Sequence, residues 1–159
     1  MSDDESAYRP ALRGPGSRPD YRRLTSEQSL AFRDAMAPLL RDLAVSGELA
    51  PELADRSWDD DQDVVSGFIY QPGLGGRWGI RVQVTWPEAD RVVNLADQVQ
   101  EWAVEALWTA ARSATWPECP EHPNSHPLTP AVDGAGAAVW RCPTSNRAVS
   151  AIGDLKRRA

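Results

Sequence analysis

The chain has 159 residues, 42% apolar and 25% charged, with a formal net charge of −6, the profile of a globular domain and not of a fibrous or disordered chain. No stretch approaches the roughly 20 apolar residues of a membrane span, and the amino terminus is polar and charged, unlike a signal peptide. Residues 25–115 carry seven Arg against fifteen acids, while residues 1–24 and 116–159 are each slightly basic, which argues against broad phosphate-backbone binding by the middle of the chain.

Residues 1–24 mix Asp, Arg, Pro, Gly and Ser with few aliphatics, so they are expected to be a disordered, solvated arm. Its five arginines could alternatively touch nucleic acid or an acidic partner. A helix is expected from Thr25, where Thr25 and Gln28 have the spacing of a capping box. Phe32, Met36, Leu39, Leu40 and Leu43 follow at helical spacing. Pro38 should kink this helix and Gly47 should stop it.

Residues 48–62 are polar and acidic and are expected to form a solvated turn. Asp59, Asp60, Asp61 and Asp63 lack the spaced frame and the later Glu of a calcium loop. Two strands are predicted next. Val64–Tyr70 is rich in β-branched and aromatic residues, and Trp78, Ile80, Val82, Val84 and Trp86 alternate with more polar neighbours. Gln71–Arg77 between them reads as a glycine-rich hairpin loop. It is not a phosphate loop, because no Lys-Ser/Thr follows it and no helix opens behind it.

The second strand leads into a long helix opened by Pro87, Glu88 and Asp90. Val92, Leu95, Val99, Ala103, Ala106 and Ala110 form its apolar stripe, widened by Trp102 and Leu107. Trp108 falls nearly opposite, where it either packs under another segment or faces a partner.

From Trp116 the chain becomes proline-rich and contains all of its cysteines and histidines: Cys119, His122, His126 and Cys142, spaced C-x2-H-x3-H-x15-C. Thiolate sulfur and imidazole nitrogen are zinc's preferred donors, and closed structural sites take four of them. Prolines 117, 120, 123, 127 and 130 forbid a helix here, which excludes the H-E-x-x-H hydrolase pattern. The alternatives are two reduced, buried thiols with surface histidines, or a disulfide. Ala137–Cys142 and Arg147–Ile152 read as a β-hairpin across residues 143–146.

The Cys-Pro, His-Pro-Leu, Trp-Arg-Cys-Pro and Ile-Gly-Asp-Leu segments within residues 116–155 resemble the carboxy-terminal end of short, uncharacterised actinobacterial proteins. The resemblance implies a zinc-ribbon-like terminus and no established activity.

The expected architecture is α+β. An arm (1–24) precedes an α-β-β-α body (25–115) and a zinc-ribbon-like module (116–159) that holds structural Zn2+ through Cys119, His122, His126 and Cys142. With only two histidines, both assigned to the metal, neither a Ser-His-Asp triad nor a zinc-deaminase or HNH-type nuclease set remains. The expected function is therefore a non-catalytic, intracellular (cytoplasmic) interaction or adaptor domain that binds another protein. The alternative is a nucleic-acid-associated regulator using the basic termini, including Lys156, Arg157 and Arg158.

Overall fold

The computed structural model describes residues 21–54, 56–59 and 61–157. The remainder of the expected arm (1–20), Asp55, Asp60, Arg158 and Ala159 lie outside the described residues. Among the described residues there are two helices and three antiparallel sheets, an α+β arrangement.

A two-residue strand β1 (Arg22–Arg23) pairs with β3 (Arg56–Ser57). Paired backbone thus begins inside the segment expected to be an arm. Arg22 secures this start, with Nε donating to Asp59 O at 2.8 Å and Nη1 to Gln28 Oε1 at 3.0 Å. The first helix, α1 (Ser26–Ser46), opens on Thr25 with both halves of the capping box made and closes on Gly47 at φ 68°. It runs through Pro38 without a break.

The segment expected to be a solvated turn instead supplies β3 and another short strand, β2 (Glu52–Ala54). Two- and three-residue strands lack enough periodicity to be read from sequence. The aspartates cap their own backbone, Asp59 Oδ1 accepting from Asp61 N and Asp61 Oδ1 from Asp63 N.

β4 (Val64–Tyr70) is central in the sheet β2-β4-β5. Val65 and Ile69 face the core from β4, and Ile80 and Val82 face it from β5 (Trp78–Gln83). The connecting loop places Gly73, Gly75 and Gly76 at φ between 71° and 87°, a region glycine enters at little cost. The alternation ends sooner than expected. β5 stops at Gln83, and Trp78 and Trp86 are 37% and 46% exposed. Trp86 sits in a turn, its N–H donating to Gln83 O.

The second helix, α2 (Glu88–Thr109), buries Val92, Leu95, Val99, Ala103, Ala106, Trp102 and Leu107, as its stripe predicts. Ala110 is exposed beyond its end, and Trp108 projects into solvent at 73% exposure. The two helices run side by side in one direction. Their first turns share a groove, and Arg112 just past α2 pairs with Glu48 just past α1 at 3.2 Å.

The last third forms a sheet β6-β7-β8 from β6 (Thr129–Val132), β7 (Ala138–Arg141) and β8 (Ala148–Ala151). The expected hairpin is β7–β8. β6 was not predicted because it contains Pro130, which a strand tolerates only at a sheet edge, where β6 lies. This sheet packs into the body: Leu128, Trp140, Cys119, Cys142 and Ile152 belong to one continuous core with both helices.

Candidate metal centre

Two loops build the site. The first runs from Pro117 to Leu128, where Leu128 N donates to Pro117 O at 2.8 Å and Cys119 N donates to His126 O at 3.4 Å. These bonds fold the proline-rich stretch back on itself and set Cys119 beside His126. Asn124 adopts φ 58°, and Ser125 N donates to His122 O, so the chain reverses after His122. Asparagine tolerates this left-handed conformation better than most residues.

The second loop follows β7. Cys142 N donates to Arg147 O at 2.9 Å and Asn146 N to Cys142 O at 2.8 Å, with Asn146 at φ 60°. This tight turn leaves Cys142 at the end of a core strand and Thr144 and Ser145 above it.

The structure brings all four sequence-predicted residues together. Their ligand atoms lie within 4.8 Å of one another, an arrangement able to hold a metal ion. Cys119 Sγ is 3.7 Å from His122 Nδ1, and Cys142 Sγ is 3.4 Å from His122 Nδ1 and 3.9 Å from His126 Nε2. Both cysteines are buried and free, with no disulfide between them; the histidines are half-buried.

The surroundings assign the donor atom of His126. His126 Nδ1 lies 3.0 Å from Pro127 O. A carbonyl only accepts, so Nδ1 carries the proton and Nε2 is left with its lone pair facing the cysteines. His122 faces them through Nδ1 instead. Thr144 Oγ1 sits 3.2 Å from His126 Nε2.

Burial alone would push the Cys142 thiol up. The Ser145 hydroxyl and amide, the Thr144 amide and the neighbouring Cys119 outweigh it and bring the pKa from 9.0 down to about 6. The thiolate, the form that ligates metal, is thus favoured at neutral pH. Glu121 braces the two loops, accepting from Ser145 Oγ at 2.7 Å and pairing with Arg147 at 3.6 Å. The Ser145 hydroxyl holds its carboxyl below the ordinary range against a smaller push from burial, with Arg147 assisting.

Two supporting residues escaped the sequence reading. Asp42 is buried in α1 and receives three hydrogen bonds: from Trp140 Nε1 at 2.7 Å, Gly153 N at 2.7 Å and Leu155 N at 3.0 Å. Burial raises its pKa above 3.8 while these donors and Arg41 pull the other way, so the donors replace the water an ionised carboxylate loses. Its signal was present: an acid three residues after Leu39 and beside Leu43 lies on the apolar stripe. Gln100 donates to both Trp116 O and Leu128 O, holding the start and end of the first metal loop against α2. The brace made by Glu121 bore no local signal, because its partners are 24 and 26 residues away in sequence.

Comparison of the chain with protein-family models, with curated proteins and with solved structures finds no match.

Proposed function

We propose that Cys119, His122, His126 and Cys142 hold a structural Zn2+ and that the protein is a non-catalytic, intracellular interaction domain. The observation that carries the metal reading is the set of sulfur–nitrogen separations. A tetrahedral zinc with sulfur at about 2.3 Å and nitrogen at about 2.0–2.1 Å spaces these donors about 3.5–3.6 Å apart. Three of the four sulfur–nitrogen separations are 3.4, 3.7 and 3.9 Å, and all four ligand atoms lie within 4.8 Å of one another. Two sulfurs and two nitrogens in a tetrahedral frame suit zinc among the divalent metals. Four protein donors complete its coordination and leave no open position for substrate, which supports a structural role over a catalytic one.

The interaction reading is supported by apolar side chains left on an acidic surface, Leu30 and Trp108 among them. No helix among the described residues is long and apolar enough to cross a membrane. A cytoplasmic setting fits the paired free thiols, which a reducing compartment preserves.

Elemental analysis of protein purified under reducing conditions tests the metal. About one zinc per chain, lost on replacing Cys119 or Cys142, is expected. Metal-free protein that is fully folded, with both thiols freely alkylated, would remove the proposal.

A further inference from the structure

The first turns of α1 and α2 border an open groove of about 360 Å³. Along α1, Glu27, Leu30, Ala31 and Asp34 form one ridge at helical spacing, and Ala35 lies at the base. Glu88 closes the groove from α2. Leu30 is 60% exposed, and the two alanines give the groove a smooth apolar wall.

The lining is predominantly acidic, with three carboxylates against one cation. Glu27, Asp34 and Glu88 have no cationic partner within ion-pair distance among the described residues. The single cation on the lining, Arg91, turns Nη1 toward Val84 O. Helix dipoles account for Glu27 and Glu88, which sit in first turns and are stabilised there without any ligand. They do not account for Asp34, two turns further on, or for Leu30. A single exposed leucine is ordinary; one placed beside an alanine wall and between carboxylates about 10 Å apart along the helix is a shaped and charged receptor.

We propose that this groove docks a basic, amphipathic helical segment of another protein, seating an apolar side chain against Leu30, Ala31 and Ala35 while flanking Lys or Arg side chains meet Glu27, Asp34 and Glu88. The spacing matches a partner helix with cations about two turns apart on either side of the apolar residue. Nucleic acid and anionic lipid are disfavoured by the same carboxylates. This names the partner chemistry of the interaction domain proposed above and rests on that reading. It does not depend on the metal, since no donor residue lines the groove.

The test titrates the full-length protein with a synthetic alanine-based helix of about 16 residues, long enough to be helical alone, that carries leucines flanked by lysines. Anisotropy of a labelled peptide gives the affinity. Glu27→Lys with Asp34→Lys is expected to weaken binding about tenfold or more, since attraction becomes repulsion at both positions. Leu30→Ser should weaken it about fivefold with the charges intact. Asp34→Lys alone, outside the first turn, keeps the test valid if Glu27→Lys loosens α1.

Glu101→Lys with Glu105→Lys makes the same change in net charge elsewhere on α2 and should alter affinity less than about twofold. Equal losses in the two double variants would reduce the effect to bulk charge and overturn the groove. So would failure of the peptide to bind. Binding abolished by Leu74→Ser with Trp78→Ala, and untouched by the groove variants, would also overturn it while leaving an interaction role toward the other end of α2.

Discussion

The two three-stranded sheets are fastened to the same pair of helices by different means. β2-β4-β5 is held by area: Val65, Ile69, Ile80 and Val82 are all buried against helix residues such as Phe32 and Leu95. β6-β7-β8 has strands of four residues each, and only Val139 and Trp140 are buried within them. It is fixed instead by directed contacts, with Asp42 and Gln100 toward the helices and the Cys and His donors at the far end. Apolar burial tolerates small shifts of its parts, whereas a buried hydrogen bond or a metal donor set does not. The second sheet should therefore fail sharply at a few positions and the first should weaken gradually.

The largest effect is expected at Asp42. Asp42→Ala strands Trp140 Nε1, Gly153 N and Leu155 N together. Trp140 is fully buried, while Gly153 and Leu155 are half-buried; an unmet buried donor costs about 1–3 kcal/mol and a half-buried one less, so the loss should be about 2–5 kcal/mol in urea unfolding. Because Trp140 shares one core with both helices, the whole chain should melt earlier in one transition. A loss under about 1 kcal/mol would show that water reaches these donors and that the clasp contributes little.

Next in size is metal removal, which separates the two ends of the second sheet. With Asp42, Gln100 and Trp140 in place, chelation or Cys119→Ser should loosen residues 119–126 and 142–147 while β7 and the helices stay protected. Hydrogen exchange resolved by segment checks this. Collapse of all residues from 116 to 155 would instead make the metal the principal fastening of the sheet. His122→Ala should weaken metal binding less than either cysteine replacement.

The same end of the sheet has a pH dependence in metal-free protein. The Cys142 thiol is lowered from 9.0 to about 6 in the fold. A depressed acid contributes stability that is fully present above its unfolded value and is lost as pH falls through its folded value. The contribution should thus be complete above about pH 9 and disappear below about pH 6. Alkylation of Cys142 in the metal-free chain should follow the thiolate and reach half its maximal rate near pH 6. A midpoint near 9 would mean that Ser145 and Thr144 do not reach the sulfur.

What could be read from the sequence divides along the same line. α1 and α2 were legible to within a residue or two, because capping, stripe and stop signals are local and repeat over 21 and 22 residues. The four donors were legible because they are the chain's only Cys and His. The short strands β1, β2 and β3 were hidden by their length, and β6 by its proline. The clasps were hidden for another reason: Asp42 and Trp140 are 98 residues apart, and no local pattern announces a partner at that distance. The sharing of one core by the terminal residues and the helices was hidden for the same reason. Residues thin in aliphatics can still enter a shared core when one tryptophan, Trp140, is completely buried.

A milder and more local effect is expected within the first sheet at Gly67. A Cβ there would lie 2.8 Å from Phe32 Cζ and 3.0 Å from Ala54 O. The ring could shift, but the backbone oxygen of β2 is held by its pairing with β4. Gly67→Ala should cost about 1–3 kcal/mol by overpacking, with increased exchange confined to β2 and β4. No change in either would mean that β2 moves freely.

The smallest expected effect tests the comparison most directly, because α2 sends one glutamine to β5 and one to the loop that leads into β6. Gln98 accepts from Arg81 N at 2.9 Å and donates to Arg81 O at 2.7 Å, closing the outer edge of β5 where water is at hand. Gln100 donates to Trp116 O and Leu128 O, carbonyls of residues that are themselves buried. Truncating Gln98 lets solvent replace it, so Gln98→Ala should cost about 1 kcal/mol or less. Gln100→Ala leaves two acceptors without a donor and should cost about 1–3 kcal/mol. If the two variants lose equal stability, the directed contacts of the second sheet are no more exposed to failure than the edge of the first, and its dependence must be assigned to the metal centre alone.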